Sequence, residues 1–81
     1  MKASVEFLGT QRIVTKTQYV DIPVAEKTSV NDVLKYIRHQ YPDLSLDDEM
    51  VLITVNQEIA SPDRILKAND TVLFLPLIGG G

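Results

Sequence analysis

The chain has 81 residues, 44% of them hydrophobic, which gives room for one small apolar core and the composition of a folded, not a disordered, domain. With no cysteine, it has no means to form a disulfide, a thiolate metal site or a thiol nucleophile. The formal charge is -3 with the basic residues scattered, which argues against nucleic acid, and no apolar run reaches the roughly 20 residues of a membrane span, so a cytoplasmic location is expected.

Val5 and Phe7 share one face of a first strand ending near Gly9, with Glu6 and Leu8 on the other, and are expected in the core. Gln11 to Thr17 reads as a polar connection. Next, Val20, Ile22 and Val24 recur at period two, and Pro23, lacking an amide donor, assigns this second strand to a sheet edge. Ser29 is the expected N-cap of a helix of about three turns with the apolar stripe Val30, Val33, Leu34, Ile37 and Tyr41. Asp32 suits its first turn, and Pro42 stops it.

Leu44 to Glu49 is an acidic connection, after which Val51, Ile53 and Val55 line one face of a third strand. Asn56-Gln57-Glu58 turns the chain into a stub at Ile59-Ala60, which Ser61-Pro62-Asp63 breaks. Thr71 to Leu75 is apolar on both faces and is expected in mid-sheet. The order is strand, strand, helix, strand, stub, strand, an α+β domain spanning residues 1–78 with a flexible glycine tail at 79–81.

Of four glycines, three are Gly79, Gly80 and Gly81. At about 7% average usage, a terminal triple arises by chance in on the order of 0.03% of chains. Without side chains the segment can thread a channel too narrow for any Cβ, and three extended residues reach about 10 Å past Ile78. The reactive group would be the main-chain carboxylate of Gly81, made an acyl donor by attack on the α-phosphate of ATP. The apolar run Leu75-Pro76-Leu77-Ile78, stiffened by Pro76, leads from the sheet to this tail, which an inert frayed end would not need.

Val55-Asn56-Gln57, Leu66, Asp70, Val72, Phe74, Pro76, Gly80 and Gly81 together resemble the MoaD/ThiS family of ubiquitin-like sulfur carriers, MoaD more than ThiS. The resemblance spans the chain, though the N-terminal half matches mainly in pattern. Gly79 stands where relatives often have another small residue, and Leu77 where MoaD tends to have a second proline. The resemblance implies a β-grasp fold, a mixed sheet curled over one main helix. It also implies that a MoeB-like enzyme adenylates Gly81 with its own ATP, that a thiocarboxylate forms there, and that a MoaE-like large subunit receives the tail. The chain would then be the small non-catalytic subunit of a molybdopterin synthase, with no tightly bound cofactor. Carriers for thiamine thiazole, tRNA thiolation or cysteine synthesis, and ubiquitin-like protein modifiers, use the same kind of tail.

Val72 and Phe74 have core parity, which leaves Leu73 and Leu75 on the face away from the helix, joined by Leu8 and Ile59. With Pro76 and Leu77 at the exit, these are the expected partner-binding residues, the alternative being ordinary surface leucines. His39 points away from the helix stripe and is given no role. Asp47-Asp48-Glu49 lacks the ligand spacing of a calcium loop, and no serine has a histidine base at a suggestive position, so no metal site and no independent catalysis are expected.

Overall fold

Alternating burial along Lys2–Glu6 makes the first strand, β1, with Ala3 and Val5 turned to the core and Phe7 just beyond it. A computed structural model of the chain describes residues 1–44 and 51–76, and the Asp47-Asp48-Glu49 turn lies outside them. β2 (Tyr19–Pro23) runs antiparallel to β1 at the edge of the sheet, where the missing amide of Pro23 costs no ladder bond. β3 (Val51–Val55), β4 (Glu58–Ile59) and β5 (Thr71–Pro76) complete a five-stranded sheet in the order β2-β1-β5-β3-β4. β5 is the middle strand, parallel to β1 and antiparallel to β3, so the sheet is mixed.

The polar run after Gly9 is not a simple connection: Thr10–Thr15 forms a short helix, α1. Its inward residues are Gln11 and Thr15, one turn apart and both polar, so no apolar period marks it. It ends where Lys16 takes a left-handed conformation, with the Lys16 N–H donating to the Arg12 carbonyl.

The main helix, α2 (Val30–Gln40), begins at Ser29 with a reciprocal cap. The Asp32 N–H donates to Ser29 Oγ at 3.2 Å, and the Ser29 N–H donates to Asp32 Oδ2 at 2.9 Å. The segment before Leu66 serves the other unpaired donors of the first turn: Val30 N–H reaches the Arg64 carbonyl at 2.8 Å and Asn31 N–H the Pro62 carbonyl at 2.9 Å. Val30, Val33, Leu34 and Ile37 are buried in one cluster with Val5, Phe7, Ile22, Ile53, Val55, Leu66, Val72 and Phe74. Each such side chain contributes roughly 1.5–3 kcal/mol by leaving water. Tyr41 closes the far end, its ring edge-on to Phe7 at 5.6 Å, and Leu44, expected in a polar connection, is buried beside it in the same cluster. A mixed sheet with one face covered by a single long helix is the β-grasp architecture, and the α+β expectation holds.

Candidate functional site

Strand register decides which side chains share the sheet face opposite α2. Glu6 stands beside Tyr19 on one flank and Leu73 on the other, Leu73 beside Thr54, and Thr54 beside Ile59. One row thus crosses all five strands, polar at the β2 end and apolar toward β4. Leu75 lies in the next row, opposite Leu52. Leu52, Leu73 and Leu75 are half-buried, while Ile59 is 74% exposed. Leu73, Leu75 and Ile59 therefore share the face expected for them. Leu52 belongs with them and was missed, although the alternation that turns Ile53 and Val55 inward also turns Leu52 outward.

Leu8 has left the strand: it sits between β1 and α1, exposed, with its carbonyl accepting from the Gln11 N–H at 3.1 Å. Between Glu6, Tyr19, Leu73, Thr71, Asn56 and Gln57 the face carries a hollow of about 400 Å³. The Tyr19 hydroxyl leans over it toward Glu6 Oε2 at 3.4 Å. An apolar row rimmed by a carboxylate and side-chain amides has the make-up of a protein contact surface.

The strand that leads to the glycines is fixed at both ends. At its start, Asn56 Nδ2 donates to Asp70 Oδ1 at 2.9 Å, the Thr71 N–H donates to Asn56 Oδ1 at 3.0 Å, and the Lys67 N–H donates to Asp70 Oδ2 at 2.8 Å. Asn56 and Asp70 thereby tie the turn before β5 to the end of β3, a structural reason for these residue types. At its far end, Gln11 Nε2 donates to the Phe74 carbonyl at 2.7 Å. Gln11 is 6% exposed, and its Oε1 has no partner among the described residues. Only the amide nitrogen can face a carbonyl, so this bond settles the side chain's orientation. Sequence periodicity gave no sign of it.

β5 runs through Pro76, whose backbone stands opposite Val51. Leu77, Gly79, Gly80 and Gly81 lie outside the described residues. From Pro76, five residues can span at most about 17 Å to Gly81. Among the described residues no helix is long and apolar enough to cross a membrane, and no group of three His, Cys, Asp or Glu is placed to hold a metal ion.

The ThiS family pattern matches residues 5–81. The molybdopterin synthase sulfur carrier subunit of Dictyostelium discoideum is 37% identical over 65 residues, covering 78% of this chain and 74% of that protein. Small archaeal modifier protein 1 of Haloferax volcanii superposes with a TM-score of 0.81 at 18% identity, covering 95% of this chain and 98% of that one. A chain of the protein–protein complex of subunits 1 and 2 of molybdopterin-converting factor from Helicobacter pylori superposes with a TM-score of 0.66 at 23% identity, over 100% of both chains. At these identities the two structures establish a shared fold.

Proposed function

Because the chain belongs to the ThiS family of sulfur carriers, we propose that Gly81 holds the sulfur as a terminal thiocarboxylate and donates it in molybdopterin synthesis. The observation that carries this reading is the placement of β5: the middle strand, held on both flanks, ends at Pro76 and is followed in sequence by the glycines. A partner that docks on the Leu52, Leu73, Leu75 and Ile59 face thus meets a tail that starts at a fixed point. Gly79 and Gly80 leave that tail free of side chains, and Leu77 adds to the apolar exit.

In the proposed chemistry, a MoeB-like partner binds ATP and the Gly81 carboxylate attacks its α-phosphorus, releasing pyrophosphate. A sulfur nucleophile at the sulfide level then displaces AMP from the acyl carbon, leaving the thiocarboxylate. In a MoaE-like large subunit that sulfur attacks a carbon of the pterin precursor and displaces an oxygen leaving group from it. Water then attacks the acyl carbon and cleaves the acyl–sulfur bond, leaving the sulfur on the pterin and restoring the Gly81 carboxylate. The carrier contributes an unhindered acyl carbon and a docking face, while catalytic side chains come from the partners. The similarity to the Dictyostelium carrier subunit favours the molybdopterin recipient.

The test is intact mass after incubation with ATP, an activating enzyme and a sulfur source. One oxygen replaced by sulfur at the terminal residue is expected, and an unchanged mass at Gly81 contradicts the reading. The likeness to a small archaeal modifier protein favours a second reading, in which Gly81 ends in an isopeptide bond to a lysine. Lysine-linked conjugates on a denaturing gel would favour that one.

A further inference from the structure

β1 and β5 run parallel with Ser4, Val5 and Glu6 beside Thr71, Val72 and Leu73. In a parallel ladder a residue donates to the carbonyl preceding its partner, as the Ser4 N–H does to the Asp70 carbonyl at 2.8 Å. Extended past Glu6, the same rule would send the Leu8 N–H to the Phe74 carbonyl and the residue 76 N–H to the Leu8 carbonyl. The first bond is not made among the described residues, because the chain turns away into α1. The second is impossible, because Pro76 has no N–H. Gln11 supplies both missing donors: its main-chain N–H meets the Leu8 carbonyl at 3.1 Å, and its Nε2 meets the Phe74 carbonyl at 2.7 Å.

We propose that Gln11 is a positioning residue for the C-terminal exit, its buried side-chain amide completing the last rung on the β1 flank of β5, opposite the flank that β3 pairs through Pro76, and fixing the line along which the chain leaves toward Gly81. The inference rests on the sulfur-carrier reading above, since direction of exit matters only if the tail must enter another protein. A leucine would fill the same space but leave the Phe74 carbonyl without its donor, whereas the glutamine serves that carbonyl even though its own Oε1 has no partner among the described residues. The bond it does make acts on the carbonyl two residues before the strand ends, where a change of angle is carried directly into the tail. Gln11 touches no reacting atom; it acts through Phe74 and Pro76.

Two measurements on the full chain test this. In isotope-labelled wild type, the Gln11 side-chain amide protons should exchange slowly and show scalar coupling to the Phe74 carbonyl across the hydrogen bond. In steady-state thiocarboxylation by an activating enzyme, Gln11→Leu, confirmed folded by its thermal melt, should lose about 10- to 100-fold in kcat with KM for the carrier unchanged, because the docking face is intact and the reacting carbon is misplaced. Gln11→Glu should recover relative to wild type as pH falls, because only the protonated carboxyl can donate to the Phe74 carbonyl. If Gln11→Leu does not fold, the pH-dependent recovery of Gln11→Glu carries the kinetic test.

An unchanged kcat in Gln11→Leu, a loss confined to KM, or a fast-exchanging Gln11 amide without coupling would each overturn the proposal. If wild type acquires no sulfur at all, it is the carrier reading that fails, and the observed or absent coupling then decides the latch by itself.

Discussion

Ser29 and Asp32 each hold the other's main-chain N–H, so the start of α2 depends on two short side chains. Replacing Ser29 by alanine leaves the Asp32 N–H without its acceptor and should lower stability by about 1 kcal/mol, read as a lower denaturation midpoint at unchanged slope. The Asp32 carboxyl is held below its ordinary value, chiefly by the Ser29 main-chain N–H, then by the Ser29 side chain, with Lys35 adding a smaller attraction. A depressed carboxylate pKa stabilises the fold above the unfolded value of about 3.9 and stops doing so as pH falls through the lower folded value. Asp32→Asn should therefore fall short of wild type at neutral pH and converge with it as acid is added, in denaturation curves run from pH 7 down to pH 3. A gap that stays constant with pH would mean that charge at Asp32 plays no part in the cap. The cap was legible in the sequence because Ser29 stands directly before the apolar stripe with an acidic residue three positions on. The role of Gln11 was not, since a buried glutamine bonding across 63 positions leaves no local pattern.

Elements with an apolar period were readable: Val5, Ile22, Val24, Ile53, Val55, Val72, Phe74 and the α2 residues Val30, Val33, Leu34 and Ile37 are buried as their alternation or stripe requires, Val20 and Tyr41 are half-buried against them, and the side chain of Val51 lies outside the description. α1 escaped because its buried side is Gln11 and Thr15, so its place against β5 comes from a hydrogen bond that sequence spacing does not encode. Thr54 is a second case, buried at 7% exposure despite its outward parity between Leu73 and Ile59, with its Oγ1 unpartnered among the described residues. The β3–β4 hairpin shows how turn chemistry can depart from preference. Its two-residue loop puts both Asn56, at φ 53°, and Gln57, at φ 71°, in left-handed conformations, as a type I′ turn demands. Asparagine tolerates this; glutamine carries a Cβ penalty of about 1–2 kcal/mol that glycine would relieve, less the extra chain entropy glycine loses on folding. Gln57→Gly should accordingly stabilise the domain by about 0.5–1 kcal/mol, measured as a raised melting temperature. A fall would mean that the Gln57 side chain, on the rim of the open-face hollow, is held by contacts stronger than the strain.

At the scale of the whole molecule, the proposed function assigns folding and transfer to separate parts of the chain. None of the buried apolar residues described lies beyond Phe74. The same β-grasp scaffold is shared by a molybdopterin-converting factor complex and an archaeal modifier protein, so the fold does not name the recipient. What distinguishes a carrier from an inert domain of equal stability is whether the last residues are chemically used. Deleting Gly80 and Gly81 should leave the melting temperature within about 1 °C of wild type, because no core contact described depends on them, while sulfur loading is lost completely. Leu34→Ala should do the reverse. Emptying a fully buried site under the sheet costs about 2–5 kcal/mol, yet whatever fraction remains folded should still acquire sulfur. Thermal melts paired with intact-mass assays on both variants separate the two effects. A truncated chain that melts early would place the tail inside the fold. One that still loads sulfur would move the chemistry away from Gly81, either to the new terminal carboxylate of Gly79 or to a side chain, which the position of the added mass would distinguish.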